Sequence, residues 1–155
     1  MRRFIVTIVA ALAVALSAGI YPALAQSTTG PAASYVPPSF DHPRKVVLSL
    51  SENEPSRVNE VIGNVGNVQR YYGADDVRIA LVVYGPGIHS VLKGSPVAER
   101  IAGLVAIGVE VLACQNTLTT IHKTAADLLP GVTVVPSGIP AIIEREAQGW
   151  YYVRP

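Results

Sequence analysis

Several residue types that mark particular classes of protein are scarce in this chain of 155 residues. There is one cysteine, Cys114, so no disulfide can close within the chain and a disulfide-stapled scaffold is excluded. The three histidines, His42, His89 and His122, do not fall at metal-ligand spacing with one another or with Cys114, so no metal site is expected. No block of lysine and arginine occurs, which argues against nucleic acid as a partner. Beyond residue 25 there is no long apolar run, which excludes a multi-span membrane protein. A glycine-rich phosphate loop is also missing. Gly85-Pro86-Gly87-Ile88-His89-Ser90 approaches the dinucleotide pattern, but its sixth residue is serine and Pro86 has no N–H to offer a phosphate, so a turn is the better reading. Ser51-Glu52-Asn53-Glu54-Pro55 is acidic and lacks glycine, which disfavours a flavin phosphate. No cofactor is expected.

Apolar residues are abundant, at 50% of the sequence, but unevenly spread. Residues 1–25 hold 19 of the 77, and the rest is close to ordinary globular composition. Arg2 and Arg3, the apolar run from Phe4 to about Ala18, and Ala23-Leu24-Ala25 read as a secretory signal peptide cleaved before Gln26. An uncleaved anchor is the alternative. Cleavage removes two of 12 basic residues against 11 acidic ones, leaving the mature chain near −1. The expected location is periplasmic or secreted, with no membrane association once the signal is removed. Residues 26–44 carry Pro31, Pro37, Pro38 and Pro43 among serine, threonine and glycine, and read as a disordered tether. Residues 45–155 then form one α/β domain.

Within that domain short apolar runs alternate with helical patterns. Strands are expected at Val46–Leu50, Val77–Tyr84, Val109–Ala113, Val132–Val135 and Tyr151–Val153. Several are nearly continuous apolar runs, as strands covered on both faces require. Helices are expected from Pro55 to Tyr72, Pro96 to Ile107, Thr117 to Leu129, and Pro140 to Gly149, the last burying Ile142, Ile143 and Ala147. The alternation predicts a flavodoxin-like, mostly parallel five-stranded sheet with helices on both faces and strand order 2-1-3-4-5. In that order the ligand crevice lies outside the ends of the first and third strands, at Ser51-Glu52-Asn53 and Cys114-Gln115-Asn116.

Cys114 is the sharpest candidate for chemistry. It follows a strand and precedes a helix, where free N–H groups favour the thiolate, the reactive form of the side chain. The alternative is a buried, inert cysteine acting as a small apolar residue. His89, on the same sheet edge, could line the crevice. Asn53 and Asn116 could equally cap helices or turns. The aromatic ending Trp150-Tyr151-Tyr152 reads as a packed terminal strand and would also suit a subunit interface.

Taken in order, the segments Asn64-Val65-Gly66-Asn67, Val82–Gly87, Ala113–Leu118, Asp127–Val132 and Gly149–Pro155 resemble the DsrE/DsrF-like family over essentially the whole folded part. The resemblance implies a flavodoxin-like fold that assembles into homo-oligomers. It also implies sulfur handling, as in relatives that are subunits of sulfur-relay systems and carry sulfur as a cysteine persulfide. Cys114 matches that cysteine. The protein would then be an exported, sulfurtransferase-like persulfide carrier. Asn53, Gln115, Asn116 and His89 would shape the pocket. Its partner would be a sulfur donor or acceptor protein or a small sulfane-sulfur compound. The competing reading is a non-enzymatic oligomeric binding or assembly module in which Cys114 is only packed.

Overall fold

The computed structural model describes residues 35–155. The expected signal peptide and the tether as far as residue 34 lie outside the described residues. Residues 35–43, the remainder of the expected tether, form no helix or strand and are mostly exposed. Val36–Pro155 is one compact unit. No helix among the described residues is long and apolar enough to cross a membrane.

The elements follow in the order β1 (Arg44–Leu50), α1 (Pro55–Tyr72), β2 (Val77–Val83), a 3-10 turn (Gly85–Val91), α2 (Ala98–Ala106), β3 (Glu110–Cys114), α3 (Gln115–Thr120), a second 3-10 turn (Ala125–Asp127), β4 (Thr133–Val135), α4 (Gly138–Ala147) and β5 (Tyr151–Val153). All strand pairings are parallel. The α/β class, the five parallel strands and the helices on both faces are as the sequence implies. The order within the sheet differs from the expected 2-1-3-4-5 and is β4-β3-β2-β1-β5. β2 lies between β1 and β3, and β5 pairs with the outer edge of β1 instead of lying beside β4.

Strand burial gives the physical reason. β2 is almost wholly buried, from Val77 to Val83, with only Arg78 exposed. A strand so apolar on both faces belongs in the middle of a sheet, and the expected order would have left it at an edge. β4 and β5, three residues each and incompletely buried, tolerate the edges instead.

The order also decides which helices cover which face. The chain moves one way from β1 through β4, so right-handed crossovers put α1, α2 and α3 on one side. There Val46, Leu48, Leu50, Ile79, Leu81, Val83 and Val111 meet Val58, Val61, Ile62 and Val65 of α1, Ile101 and Leu104 of α2, and Leu118 of α3. The return from β4 to β5 places α4 on the other side. A smaller core forms there from Val47, Ala80, Val82, Leu112 and Ile142, with Tyr84, Val135, Trp150 and Tyr152 packed against it.

Two helical expectations need correction. The third helix does not run to Leu129. α3 ends at Thr120, and His122 takes a left-handed φ of 55°. β-branched Thr117, Thr119, Thr120 and Ile121 weaken propagation. Thr124 and Asp127 then form a reciprocal cap that starts a separate turn, with Asp127 accepting from the Thr124 N–H at 2.9 Å. In α4, Ile142 is buried as expected, but Ile143 and Ala147 are exposed, because a single helix lying on a sheet buries a narrow stripe.

Candidate functional site

β3 delivers Cys114 to the edge of the molecule where connections diverge. The segment leaving β3 goes to the α1/α2 face and the segment leaving β4 goes to the α4 face. Two neighbouring strands whose exits part in this way leave a crevice at their carboxyl ends. Cys114 pairs with Val135 across that boundary. The crevice therefore falls between β3 and β4, not between the first and third strands as the expected order had it. Cys114 stands at this boundary too.

The side chain of Cys114 follows Leu112 in the two-residue alternation and so points to the α4 face. It is 5% exposed and is a free thiol. Its surroundings come from three elements. The register Val83↔Ala113 continues to set Tyr84 beside Cys114 on the same face. Gly138, the first residue of α4, packs against Tyr84 so tightly that a β-carbon there would lie 3.0 Å from the Tyr84 Cβ and ring. Thr117 of α3 accepts a hydrogen bond from the Gly85 N–H at 3.0 Å on its Oγ1.

Burial pushes the Cys114 thiol up. The Thr117 hydroxyl, then the backbone N–H groups of Thr117, Gly138 and Asn116, favour the charged form, and the net effect holds the thiol below its ordinary value. Cys114 is also the N-cap residue of α3, but its sulfur does not complete a cap hydrogen bond of standard geometry. The N–H groups therefore act as nearby dipoles converging from two helix starts rather than as a closed set of short bonds. This arrangement makes the thiol of Cys114 easier to ionise than an ordinary cysteine.

The residues expected to share this pocket separate into groups. Gln115 is half-buried and donates from Nε2 to Thr119 Oγ1 at 3.2 Å, along its own helix. Asn116 lines a hollow of about 480 Å³ with Gly85, Pro86, His89, Thr117, Thr120 and Ile121. Asn53, at the end of β1, lies in a different cleft, with β2 between it and β3. His89 lines both spaces. Cys114 lines neither.

Tyr84, Thr117 and Gly138 went unmarked in the sequence. Thr117 carried a usable signal, since it stands three residues after the cap position, where a side chain can reach back. Tyr84 follows from strand alternation once the neighbouring strand is known. Gly138 is brought in by tertiary packing alone. Among the described residues no group of histidine, cysteine, aspartate and glutamate side chains could hold a metal ion.

An all-parallel α/β sheet with one cysteine at the carboxyl end of β3 defines the class of the molecule. Residues 44–155 match the model of the DsrE/DsrF-like family, and the chain belongs to that family. It is similar over 72% of its length to a solved protein of unknown function, MTH1491 from Methanobacterium thermoautotrophicum, at 37% identity, a TM-score of 0.70 and 99% coverage of that chain. A conserved protein of unknown function from Bacteroides thetaiotaomicron, BT1422, shares the fold at 20% identity and a TM-score of 0.59, covering 72% of this chain and 94% of that one. No curated protein matches.

Proposed function

We propose that this protein is an exported carrier of sulfane sulfur that works through a persulfide on Cys114. The observation that supports this reading most is the place of Cys114 at the carboxyl end of β3, where α3 starts and beside β4, which leads into α4, with its thiol held below its ordinary value. Membership of the DsrE/DsrF-like family, which includes sulfur-relay subunits, adds to it.

In the proposed reaction the Cys114 thiolate attacks the outer sulfur of a persulfide or thiosulfonate donor. The new S–S bond forms as the donor's own bond to that sulfur breaks, and the donor leaves with the electron pair as a thiolate or sulfinate. An acceptor thiolate or sulfite then attacks the outer sulfur of the Cys114 persulfide, and Cys114 leaves as a thiolate. Lowering the thiol pKa favours this last step because it makes Cys114 a better leaving group. Thr117 positions and stabilises the sulfur, and Gly138 leaves room for the α4 backbone to approach it. The chain would act as a homo-oligomer.

A second reading draws on the 5% exposure of Cys114 and on Ile139, Ile143, Tyr151 and Val153, which are exposed on α4 and β5. It makes the protein a non-enzymatic oligomeric assembly or binding module. Intact-mass measurement separates the two readings. Treatment of the native chain with polysulfide should add one sulfur atom at Cys114, removable by cyanide or dithiothreitol and absent in Cys114→Ser. An unmodified Cys114 that also resists alkylation in the folded protein would sink the persulfide reading and favour the second.

A further inference from the structure

A half-open cleft flanks the carboxyl ends of the strands and contains Asn53. It has a volume of about 540 Å³ and lies between the first turns of α1, the 3-10 turn after β2, and the start of α2. That size falls within the roughly 300–1,000 Å³ typical of small-molecule sites. We infer that this cleft binds a small organic carboxylate, with Arg100 of α2 as its anion receptor and Val58 and Val97 as its apolar floor. The inference goes beyond sulfur transfer at Cys114 and does not rest on it.

Arg100 is exposed and already oriented. Its guanidinium donates to Asn59 Oδ1 and, at 3.5 Å, to the Asn59 carbonyl, both on the facing helix α1. Those contacts use two of five N–H donors and leave others for a ligand. None of the five ion pairs among the described residues involves Arg100. Two acidic residues at the start of α1 are engaged elsewhere. Glu54 caps α1, accepting from Ser56 Oγ and from the Arg57 N–H, and Glu60 pairs with Arg57. No carboxylate lines the cleft.

The remaining walls fit an anion with an apolar body. Ser95 Oγ accepts from the Val97 N–H at 3.3 Å, so its own proton is uncommitted to that bond. His89 also lines the cleft. Val58 is buried and Val97 half-buried, so the floor is apolar carbon. A planar carboxylate matches a guanidinium fork in a way that a spherical charge does not. The cleft is also preformed. Ile88 and Val91 anchor its 3-10 wall in the core, fully buried. Gly87 in that wall sits so close to β1 that a β-carbon would overlap the Leu50 carbonyl.

The test titrates the native full chain with benzoate, with its neutral isostere benzamide and with inorganic phosphate, following backbone amide shifts. Benzoate should give saturable shifts at Asn59, Ser95, Val97 and Arg100, with benzamide and phosphate each at least about tenfold weaker. Arg100→Gln should lower benzoate affinity on the order of tenfold, the loss of one charge-assisted contact. Val97→Trp, which fills the floor, should abolish binding while circular dichroism stays native. Equal binding of benzamide or phosphate, unchanged affinity in Arg100→Gln, or shifts elsewhere on the protein would overturn the inference. The readout is independent of whether Cys114 carries sulfur.

Discussion

The backbone N–H of Gly85 donates a 3.0 Å hydrogen bond to Thr117 Oγ1, tying the loop after β2 to the first turn of α3. With that lone pair engaged, the Thr117 hydroxyl proton is free to face Cys114. Removing the hydroxyl in Thr117→Val should slow alkylation of Cys114 by iodoacetamide near neutral pH about tenfold, the equivalent of roughly 1.4 kcal/mol for a hydrogen bond to a charged group. Thr117→Ser, which keeps the hydroxyl, should stay near the native rate. Equal rates for the valine and serine variants would remove Thr117 from the site.

Stability should follow the thiol. The folded-state value of Cys114 is depressed, so above it the native state holds fewer protons than the unfolded chain. The resulting stabilisation is fully present above the ordinary thiol range, whose reference value is 9.0, and is lost as pH falls through the lower folded-state value. Urea unfolding of the native chain and of Cys114→Ser, compared across this window, should show the native advantage growing with pH. A difference that is flat or shrinks as pH rises would mean that the thiol is not stabilised as the thiolate.

Gly138 and Tyr84 set the spacing above the sulfur. Gly138→Val forces branched carbons into the Tyr84 ring and should cost about 1–3 kcal/mol by overpacking. It should also slow alkylation at Cys114, because α4 is displaced from the sulfur. Pairing the substitution with Tyr84→Ala should recover part of the stability, as expected for residues in direct contact. Additive losses in this double variant would argue against the packing.

The edge position of β5 can be tested through Tyr152. Its hydroxyl pairs with Ser49 Oγ at 2.9 Å, and Ser49 is 5% exposed. Tyr152→Phe leaves a buried hydroxyl without its partner and should destabilise by about 1–3 kcal/mol. Adding Ser49→Ala should return much of that loss, whereas the serine change alone should be mild. Losses that simply add would mean that the two hydroxyls are not coupled.

Much of this architecture is legible in the residues. The periodicity of Val58, Val61, Ile62 and Val65 marks α1, and the position of Cys114 after an apolar strand marks the sheet edge that matters. Strand order was less legible, because alternation of strands and helices states that crossovers exist but not in which direction each one travels. The uninterrupted VRIALVV of β2 did hold the information, since an edge strand would not be buried on both faces. The site was only half visible for the same reason. Grouping Asn53 with Cys114 requires an adjacency of β1 and β3 that the sheet does not have. Tyr84 and Gly138 act through positions that become neighbours only once β2 and α4 are placed.

The sheet order also sets the sequence of assembly. Among the described strands β1 comes first and β5, its outer partner, last, with Ser49 and Tyr152 separated by 103 positions. Until β5 pairs, one side of the Val46–Leu48 backbone is an unpaired edge of apolar sequence, the kind of template on which chains join one another. Closing so long a loop late is slow compared with pairing β1 to β2. A chain cut short before Tyr151 would therefore keep its thiol site and most of its core yet lose its barrier to aggregation. The final strand thus covers an apolar edge of β1 and puts a short, partly exposed strand in its place.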